Sequence, residues 1–230
     1  MSDHDDDDRD GLDIDVAVDF SSLLGPEPNW QTCDCGAQSA RVPCWDCSRT
    51  NEARALENDR RGRSLASIPR RYDWARLGST ELLERVRARE PLETIAKKVL
   101  ASQRVVFAGT SGAGKTSLAI ACLRERVPHG EFMTAMKLSM ARIQSKAGDG
   151  EPSDVERAMT VPLLVLDEVG REAKTMHNAV MDVIWARVDS ELPTWITTGF
   201  KSTELATMYG DGMLRRLTEG ATIIQLGVKL

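Results

Sequence analysis

The chain has 230 residues, 41% of them hydrophobic and 28% charged, which is enough for one globular domain of ordinary size and an appendage. It has no run of eighteen apolar residues and an acidic start, which excludes a membrane-spanning helix and a secretory leader and favours a cytoplasmic location. The formal net charge of -5 is uneven, because residues 1–19 hold nine Asp and one Arg and the remainder is mildly basic.

The N-terminal residues 1–30 predict an acidic, disordered tail. They are rich in Asp, Ser and Pro and hold too few large apolar side chains to offset the entropy of ordering. Ile14, Val16 and Val18 alternate with Asp or Ala, and this alternation leaves open a short strand or a partner-binding segment.

A cysteine module follows over residues 31–48. Its four cysteines have the spacing C-x-C-x8-C-x2-C, and they are Cys33, Cys35, Cys44 and Cys47. Four thiolates in two close pairs can enclose a tetrahedral Zn²⁺, and in a reducing compartment such a cluster indicates metal more often than disulfides. We therefore predict a structural zinc site, with an iron–sulfur cluster or a redox pair as alternatives. Trp45 either stacks on a base or a partner, or packs against the module itself.

Residues 49–67 are polar and predict a linker helix that ends before Pro69. Between Arg49 and Arg89 the chain holds eleven Arg against six acidic residues. Such a stretch fits phosphate binding and, equally, a solvated helical face with many ion pairs.

From residue 81 onward, helices and short apolar strands alternate. The predicted helices cover residues 81–89, 92–100, 115–126, 136–146, 154–159, 178–188, 202–208 and 213–217. The predicted strands cover residues 105–108, 131–135, 163–166, 194–198 and 222–226. This alternation predicts an α/β fold with a five-stranded parallel sheet that is buried on both faces.

The first of these strands leads into the pattern G-x-x-x-x-G-K-[ST], which is typical of a phosphate-binding loop (P-loop). The predicted ATP-binding residues are Gly109, Thr110, Ser111, Gly112, Ala113, Gly114, Lys115, Thr116 and Ser117. Glycines let the backbone amides surround a phosphate, and the helix that follows directs its positive end at the anion. Lys115 would reach the β- and γ-phosphates, and the Thr116 hydroxyl would bind Mg²⁺.

The most hydrophobic strand, residues 163–166, ends in two acids, Asp167 and Glu168. An acid at the end of a buried strand is costly unless a cation meets it. We therefore expect Asp167 to hold Mg²⁺ and Glu168 to polarise the water that attacks the phosphate. Two adjacent acids about fifty residues beyond a P-loop favour a hydrolytic ATPase over a small kinase or a GTPase.

With both motifs in order, the chain resembles the AAA+ ATPases of the DnaC/IstB type, the bacterial and phage helicase loaders and their transposition relatives. Four further segments are similar to that family, over residues 68–230. They are Ile68-Pro69-Arg70-Arg71-Tyr72, Leu163 to Gly170, the sensor-strand segment Leu192 to Thr198, and Leu214-Arg215-Arg216-Leu217 with Glu219-Gly220.

The resemblance implies a P-loop AAA+ core with the sensor strand between the P-loop strand and the strand of Asp167. It also implies self-association, with ATP bound at the subunit interface. Arg216 is then the candidate arginine finger acting on a neighbour's nucleotide, with Arg215 as the fallback and a plain surface Arg pair as the alternative.

Two departures from the family carry expectations of their own. Gly199 stands where the family has Asn, so Thr198 is left to orient water and hydrolysis is expected to be slow. The sequence ends just after the last predicted strand, so we expect an AAA+ domain over residues 68–230 without a C-terminal lid.

The function that the resemblance implies is loading of a DnaB-type replicative DNA helicase onto single-stranded DNA, with ATP, Mg²⁺ and Zn²⁺ as cofactors. An IstB-like transposition ATPase and an ATP-gated adaptor with little hydrolysis remain as alternatives.

Four residues elsewhere in the sequence carry structural expectations. Cys122, Met181 and Trp185 lie at helical spacing and are predicted to be core residues. Arg187 is expected on a solvated helix face rather than against a neighbouring subunit.

Overall fold

The computed structural model describes residues 29, 31–145, 148, 150–172 and 177–227. The chain divides into two compact units between Glu52 and Ala53. The predicted tail over residues 1–30 lies outside the described residues, apart from Asn29. In the described part of the chain, none of the helices is both long enough and apolar enough to cross a membrane.

The first unit contains a small antiparallel ladder of β1 (Gln31–Thr32) and β2 (Gln38–Ser39). Helix α1 (Trp45–Ser67) begins within the cysteine module, four residues earlier than the predicted linker helix, and continues into the second unit. Pro69 follows the end of α1, as a residue that cannot continue a helix should. The finer division of the chain into tail, module and linker stays a prediction.

The second unit contains the predicted five-stranded parallel sheet. Its strands are β3 (Arg104–Gly109), β4 (Gly130–Thr134), β5 (Leu163–Asp167), β6 (Thr194–Thr198) and β7 (Thr222–Leu226). They lie in the order β4-β5-β6-β3-β7. The expected fold is therefore confirmed, including the position of β6 between the P-loop strand and the strand that ends in Asp167.

Eight helices of the described residues cover this sheet. They are α2 (Thr80–Arg85), α3 (Leu92–Ala101), α4 (Lys115–Arg124), α5 (Ala135–Gln144), α6 (Ser153–Thr160), α7 (His177–Asp189), α8 (Ser202–Tyr209) and α9 (Asp211–Thr218). Helix α2 is shorter than the predicted 81–89. The chain turns extended at Val86, and Arg87 then pairs through its backbone with Ala113 and Gly227. The backbone hydrogen bond between Arg87 and Ala113 of the P-loop thus replaces the last turn predicted for α2.

The strands β3, β4, β5 and β6 supply both cores, whereas the edge strand β7 buries Ile224 and Leu226 in one core and exposes Ile223 and Gln225. In β5, Leu163 and Val165 pack with α3 and α4, whereas Leu164 and Leu166 pack with the helices of the opposite face. Alternate side chains of a strand point to opposite faces, so a strand covered on both sides must be apolar throughout. This explains why the strands read as continuous apolar runs.

The outer edge of β4 is covered by the C-terminal part of α1. Ser64 Oγ donates to the carbonyl of Gly130, and the Phe132 N–H donates to Ser67 Oγ at 2.9 Å. Two serine side chains thus satisfy backbone groups that a neighbouring strand would otherwise bind.

Four residues carried expectations about burial, of which two agree with the structure and two are wrong. Cys122 is fully buried, and burial raises its pKa to about 12, while Met181 is partly buried against the core. Trp185, predicted as core, is 42% exposed. Arg187, predicted as solvated, is fully buried and donates to Thr194 Oγ1 and to the carbonyls of three residues, Ala158, Val161 and Pro193.

Candidate functional site

A cavity of about 670 Å³ lies where the P-loop, the end of β5 and the end of β6 meet. Ser111, Gly112 and residues 114–117 line one side, and Glu168 with Gly199 lines another. The carboxyl ends of parallel strands are the usual ligand site of such sheets. The predicted P-loop and Glu168 therefore share one cavity, and Asp167 lies behind its wall, bonded to the lining residue Thr116.

Two glycines let the P-loop fit between its neighbours. Gly109 has φ +144°, and a Cβ there would lie 2.0 Å from the backbone oxygen of Leu226. Gly114 has φ +88°, and a Cβ there would lie 2.8 Å from the Cα of Val86. Larger residues are thus excluded at both positions, and α4 begins directly after Gly114 with its N-terminal amides at the cavity.

Lys115 is the first residue of α4. Its Nζ donates to the carbonyls of Gly109 and Thr110, both at 2.8 Å, so the ammonium is held across the loop. Burial lowers the pKa of Lys115, and the charges of Asp167 and Glu168 oppose that shift. A positive charge is therefore available where the loop would hold an anion.

Asp167 is buried at the end of β5 and accepts two hydroxyl hydrogen bonds at Oδ1. Thr116 Oγ1 donates at 2.8 Å and Thr197 Oγ1 donates at 2.6 Å. Burial raises the pKa of Asp167, while these two hydrogen bonds oppose the rise. Carboxylate and hydroxyl oxygens are hard ligands, so Thr116 and Asp167 fit a Mg²⁺ ion better than a soft metal.

Glu168 follows Asp167 in a left-handed backbone conformation with φ +59°, which is uncommon for a residue with a side chain. Its N–H donates to Thr197 Oγ1 at 3.0 Å, and its carboxylate pairs with Arg171 Nη1 at 2.9 Å. Its side chain is 48% exposed, so water reaches the carboxylate. A base that polarises water needs this access.

The structure brings Thr197, rather than Thr198, to the two acids. Thr198 Oγ1 donates to the carbonyl of Val169 at 2.9 Å and accepts from the N–H of Phe200 at 3.2 Å. Successive side chains of β6 lie on opposite faces of the sheet, so the two adjacent threonines have different partners. The sequence offered one signal for Thr197, namely that the predicted strand over residues 194–198 ends in two threonines.

Cations line the remaining walls of the cavity. Besides Lys115 they are Arg71, Arg85, Arg87 and Arg171, against the two acids Glu84 and Glu168. The Arg excess over residues 49–89 includes Arg71, Arg85 and Arg87, whereas nothing in the sequence indicated Arg171. An excess of cations around a pocket favours a polyanion such as a triphosphate.

Arg216 does not line the cavity of its own chain. Its Nη1 pairs with Asp189 Oδ1 at 2.8 Å, and its guanidinium lies 5.7 Å from the centre of the Trp185 ring. Arg215, the fallback, is exposed on the same helix, α9. The role of Arg216 on a neighbour's nucleotide stays a prediction.

The four cysteines of the first unit come together as their spacing predicts. The sulfur atoms of Cys33, Cys35, Cys44 and Cys47 lie within 4.8 Å of one another. Backbone amides of Cys44 and Cys35 lower the pKa of Cys33 to about 6, and the thiols of Cys35 and Cys33 raise that of Cys47 to about 12. Four sulfur ligands in this arrangement fit a single Zn²⁺ ion, and zinc itself stays a prediction.

Trp45 begins α1 beside this cluster and is 69% exposed. The guanidinium of Arg41 lies 4.6 Å from the centre of its ring, and Arg41 Nη2 donates to Ser48 Oγ at 3.2 Å. The ring is thus accessible to a partner and also packs on Arg41 of the module, so both interpretations of Trp45 stay predictions.

The family model of IstB-like ATP-binding proteins matches residues 78–227, which is about two-thirds of the chain and includes the P-loop and both acids. Among curated proteins, no sequence matches this chain.

Solved structures give the fold independently. The crystal structure of the DnaC helicase loader matches with a TM-score of 0.57 and 20% identity, over 69% of this chain and 100% of that one. The structure of DnaI matches with a TM-score of 0.51 and 18% identity, over 74% of this chain and 94% of that one. A putative primosome component from Streptococcus pyogenes serotype M3 matches with a TM-score of 0.51 and 16% identity, over 70% and 90%.

Proposed function

We propose that this chain, which belongs to the family of IstB-like ATP-binding proteins, is a helicase loader of the cytoplasm. The proposal starts from its family membership, which makes it an AAA+ ATPase. In this role it couples ATP binding and hydrolysis to loading a DnaB-type replicative DNA helicase onto single-stranded DNA. The observation that carries the ATPase chemistry is one cation-lined cavity that brings the P-loop to Glu168, with Asp167 hydrogen-bonded to the P-loop residue Thr116.

The residues of this cavity divide the chemistry among them. Lys115 and the amides of residues 109–117 bind the phosphates, and Lys115 exchanges its two carbonyl partners for phosphate oxygens. Thr116 and Asp167 hold Mg²⁺, which neutralises charge on the phosphates when bound. Thr197 keeps the Asp167 carboxylate in place, a positioning role closer to the acids than that expected of Thr198.

Hydrolysis requires a base and a cation that meets the developing charge. Glu168 accepts a hydrogen bond from the attacking water and orients it toward the γ-phosphate. Arg216 reaches the γ-phosphate of a neighbouring copy, once it leaves Asp189, and so makes activity depend on self-association.

Helicase loading is favoured over the alternatives by two observations. The chain of the DnaC helicase loader is matched over its whole length, and the cysteine module presents Trp45 for docking on a partner. An aromatic side chain that is 69% exposed is typical of a contact surface. The family match favours the second candidate, an IstB-like ATPase that remodels a transposase–DNA complex.

Capture of the partner separates these two functions. The full chain with Glu168→Gln, loaded with ATP, should retain its partner because hydrolysis no longer releases it. Recovery of a hexameric helicase, and stimulation of its unwinding by the wild-type chain, is the expected result. A transposase in its place would overturn helicase loading and leave the ATPase assignment standing.

Phosphate release tests the ATPase assignment itself. We expect slow hydrolysis that single-stranded DNA stimulates, and loss of this activity in Glu168→Gln. Arg216→Ala should retain ATP binding and lose hydrolysis, whereas Arg215→Ala on the same helix should retain both, and the reverse result would make Arg215 the finger. A wild-type chain as inert as Glu168→Gln would instead indicate the ATP-gated adaptor that Gly199 suggests.

A further inference from the structure

The turn after β5 holds two opposite charges on a fixed backbone. The Val169 N–H donates to the Thr197 carbonyl at 2.9 Å, and the Arg171 N–H donates to the Glu168 carbonyl at 3.1 Å. The Gly170 N–H donates to Glu172 Oε2 at 3.1 Å. Hydrogen bonds to β6 and within the turn hold its backbone, and Glu168 and Arg171 both line the cavity.

The side chains of these two residues pair with each other. Arg171 Nη1 lies 2.9 Å from Glu168 Oε1, and the two side chains are 59% and 48% exposed. Both line the nucleotide cavity. The charge of Arg171 also contributes, after burial, to the lowered pKa of Lys115, so the guanidinium acts on the same space as the P-loop lysine.

An exposed ion pair of this kind contributes little free energy. Such pairs typically amount to about 0.2–1 kcal/mol, because water screens the charges and two long side chains must be ordered. A triphosphate carries several negative charges and would lie deeper in the cavity, beside Lys115. An anion in that position competes with a single exposed carboxylate for the guanidinium.

We propose that Arg171 is a phosphate-sensing positioning residue that exchanges Glu168 for the γ-phosphate when ATP binds. Without ATP, Arg171 holds the Glu168 carboxylate by the ion pair. With ATP, the guanidinium pairs with the γ-phosphate, and Glu168 is released to orient water. ADP lacks the γ-phosphate and leaves the pair intact. This inference rests on the proposed function of the cavity and of Glu168.

A double-mutant cycle on nucleotide affinity tests the exchange. Calorimetry on the full chain measures binding of the non-hydrolysable analogue AMPPNP, and of ADP, to wild type, Glu168→Gln, Arg171→Gln and the double variant. Glu168→Gln should tighten AMPPNP binding in the wild-type background, because Arg171 then has no carboxylate to leave. We expect this gain to exceed the gain in the Arg171→Gln background by about two- to fivefold.

The remaining arms make the result specific. ADP should show no such coupling, and equal coupling for both nucleotides would overturn the role of the γ-phosphate. The cycle of Arg85 and Glu81 is the matched control, because Arg85 also lines the cavity and pairs with Glu81 at 2.7 Å. That cycle should not distinguish AMPPNP from ADP.

Failure of the inference and failure of the proposed function give different results. If wild type binds AMPPNP but Glu168→Gln has the same effect in both backgrounds, the exchange is wrong and the nucleotide site stands. If wild type binds neither nucleotide in the presence of Mg²⁺, both are wrong. Because both side chains are half exposed, all four proteins should melt within a few degrees of one another.

Discussion

Around the nucleotide cavity every residue of β5 and β6 is buried, whereas in the cysteine module over residues 31–48 the buried side chains are Cys33, Cys44 and Ser48. The first region takes its shape from apolar packing on both faces of a sheet, and its polar residues are placed by that packing. The second has two strands of two residues each and no comparable packing in the described residues. We therefore expect its shape to depend on the zinc predicted at its four sulfur atoms.

Removal of metal from the full chain is the largest expected effect and the most direct way to break this contrast. Metal binding to small cysteine modules contributes about 10–16 kcal/mol, so a chelator should unfold the module and leave the second unit folded. Ellman's reagent should then react with four thiols, while Cys122 stays protected by burial.

The control for this experiment is Cys122→Ala, which should give the same four reactive thiols. Loss of the cooperative urea transition of the second unit after chelation would contradict the contrast. So would a chain that contains no metal as purified and whose four thiols react without chelator.

Lys115→Ala tests whether the packed region places its charges for a ligand rather than for its own stability. We expect ATP binding to be abolished in calorimetry, because the ammonium across the loop is lost. The urea midpoint should change little. Lys137→Ala, on an exposed lysine paired with Asp154, is the control, and tight ATP binding by Lys115→Ala would contradict the site assignment.

Arg187→Leu measures how far the packed region depends on a buried cation. The substitution leaves Thr194 Oγ1 and the carbonyls of Ala158 and Val161 without the donor that Arg187 supplies, while the Pro193 carbonyl keeps the Leu164 N–H. Each buried group left unpaired costs about 1–3 kcal/mol, so we expect a loss of about 3 kcal/mol or more in the free energy of unfolding by urea.

The matched control is Arg63→Leu, because Arg63 is exposed and pairs with Asp59 on α1. It should change stability by about 0.5 kcal/mol or less. A similar effect of both substitutions would mean that Arg187 is not held as the structure has it.

Asp167→Asn has the smallest expected effect on stability, and its sign depends on pH. Burial raises the pKa of Asp167 above the ordinary 3.8, so the unfolded chain loses this proton first as pH rises. The contribution of protonated Asp167 to the free energy of unfolding is fully present below pH 3.8. It is lost as pH rises through the pKa that Asp167 has in the folded chain. Without Mg²⁺, the variant should therefore melt above wild type at pH 7.

Melting curves between pH 4 and pH 7 check this, and the difference in melting temperature between the variant and wild type should narrow as pH falls. The amide oxygen can still accept from Thr116 and Thr197, so the hydrogen bonds do not confuse the result. Asp189→Asn, on an exposed acid, is the control. A variant less stable than wild type at pH 7 would contradict the direction of the shift.

Local patterns in the sequence predicted most of the packed region. Apolar runs located all five strands. In β3 and β5 the run is nearly continuous because both faces are buried, whereas β7 buries Ile224 and Leu226 on one face. The P-loop and the pair of acids were recognisable because their spacing is imposed by the phosphate and not by the rest of the fold. Helix α2 was predicted too long, since the pairing of Arg87 with Ala113 and Gly227 joins residues far apart in sequence.

The errors concern residues whose partners lie in other elements. Arg187 meets carbonyls at the end of α6 and before β6, and nothing near it in sequence indicates those acceptors. Trp185 lies two residues earlier on α7, and helical spacing alone did not show that Arg216 covers its ring from α9. Thr198 stays a prediction as the residue that orients water, whereas Thr197 was not named because nothing in the sequence shows that it bonds Asp167.

The serines at the end of α1 have a consequence for how the sheet meets other chains. Since Ser64 and Ser67 occupy backbone groups of β4, that border is unavailable to an incoming strand. A chain with alanine at both positions would leave the Gly130 carbonyl and the Phe132 N–H without these partners. Strand-to-strand pairing with another copy would then become possible along β4.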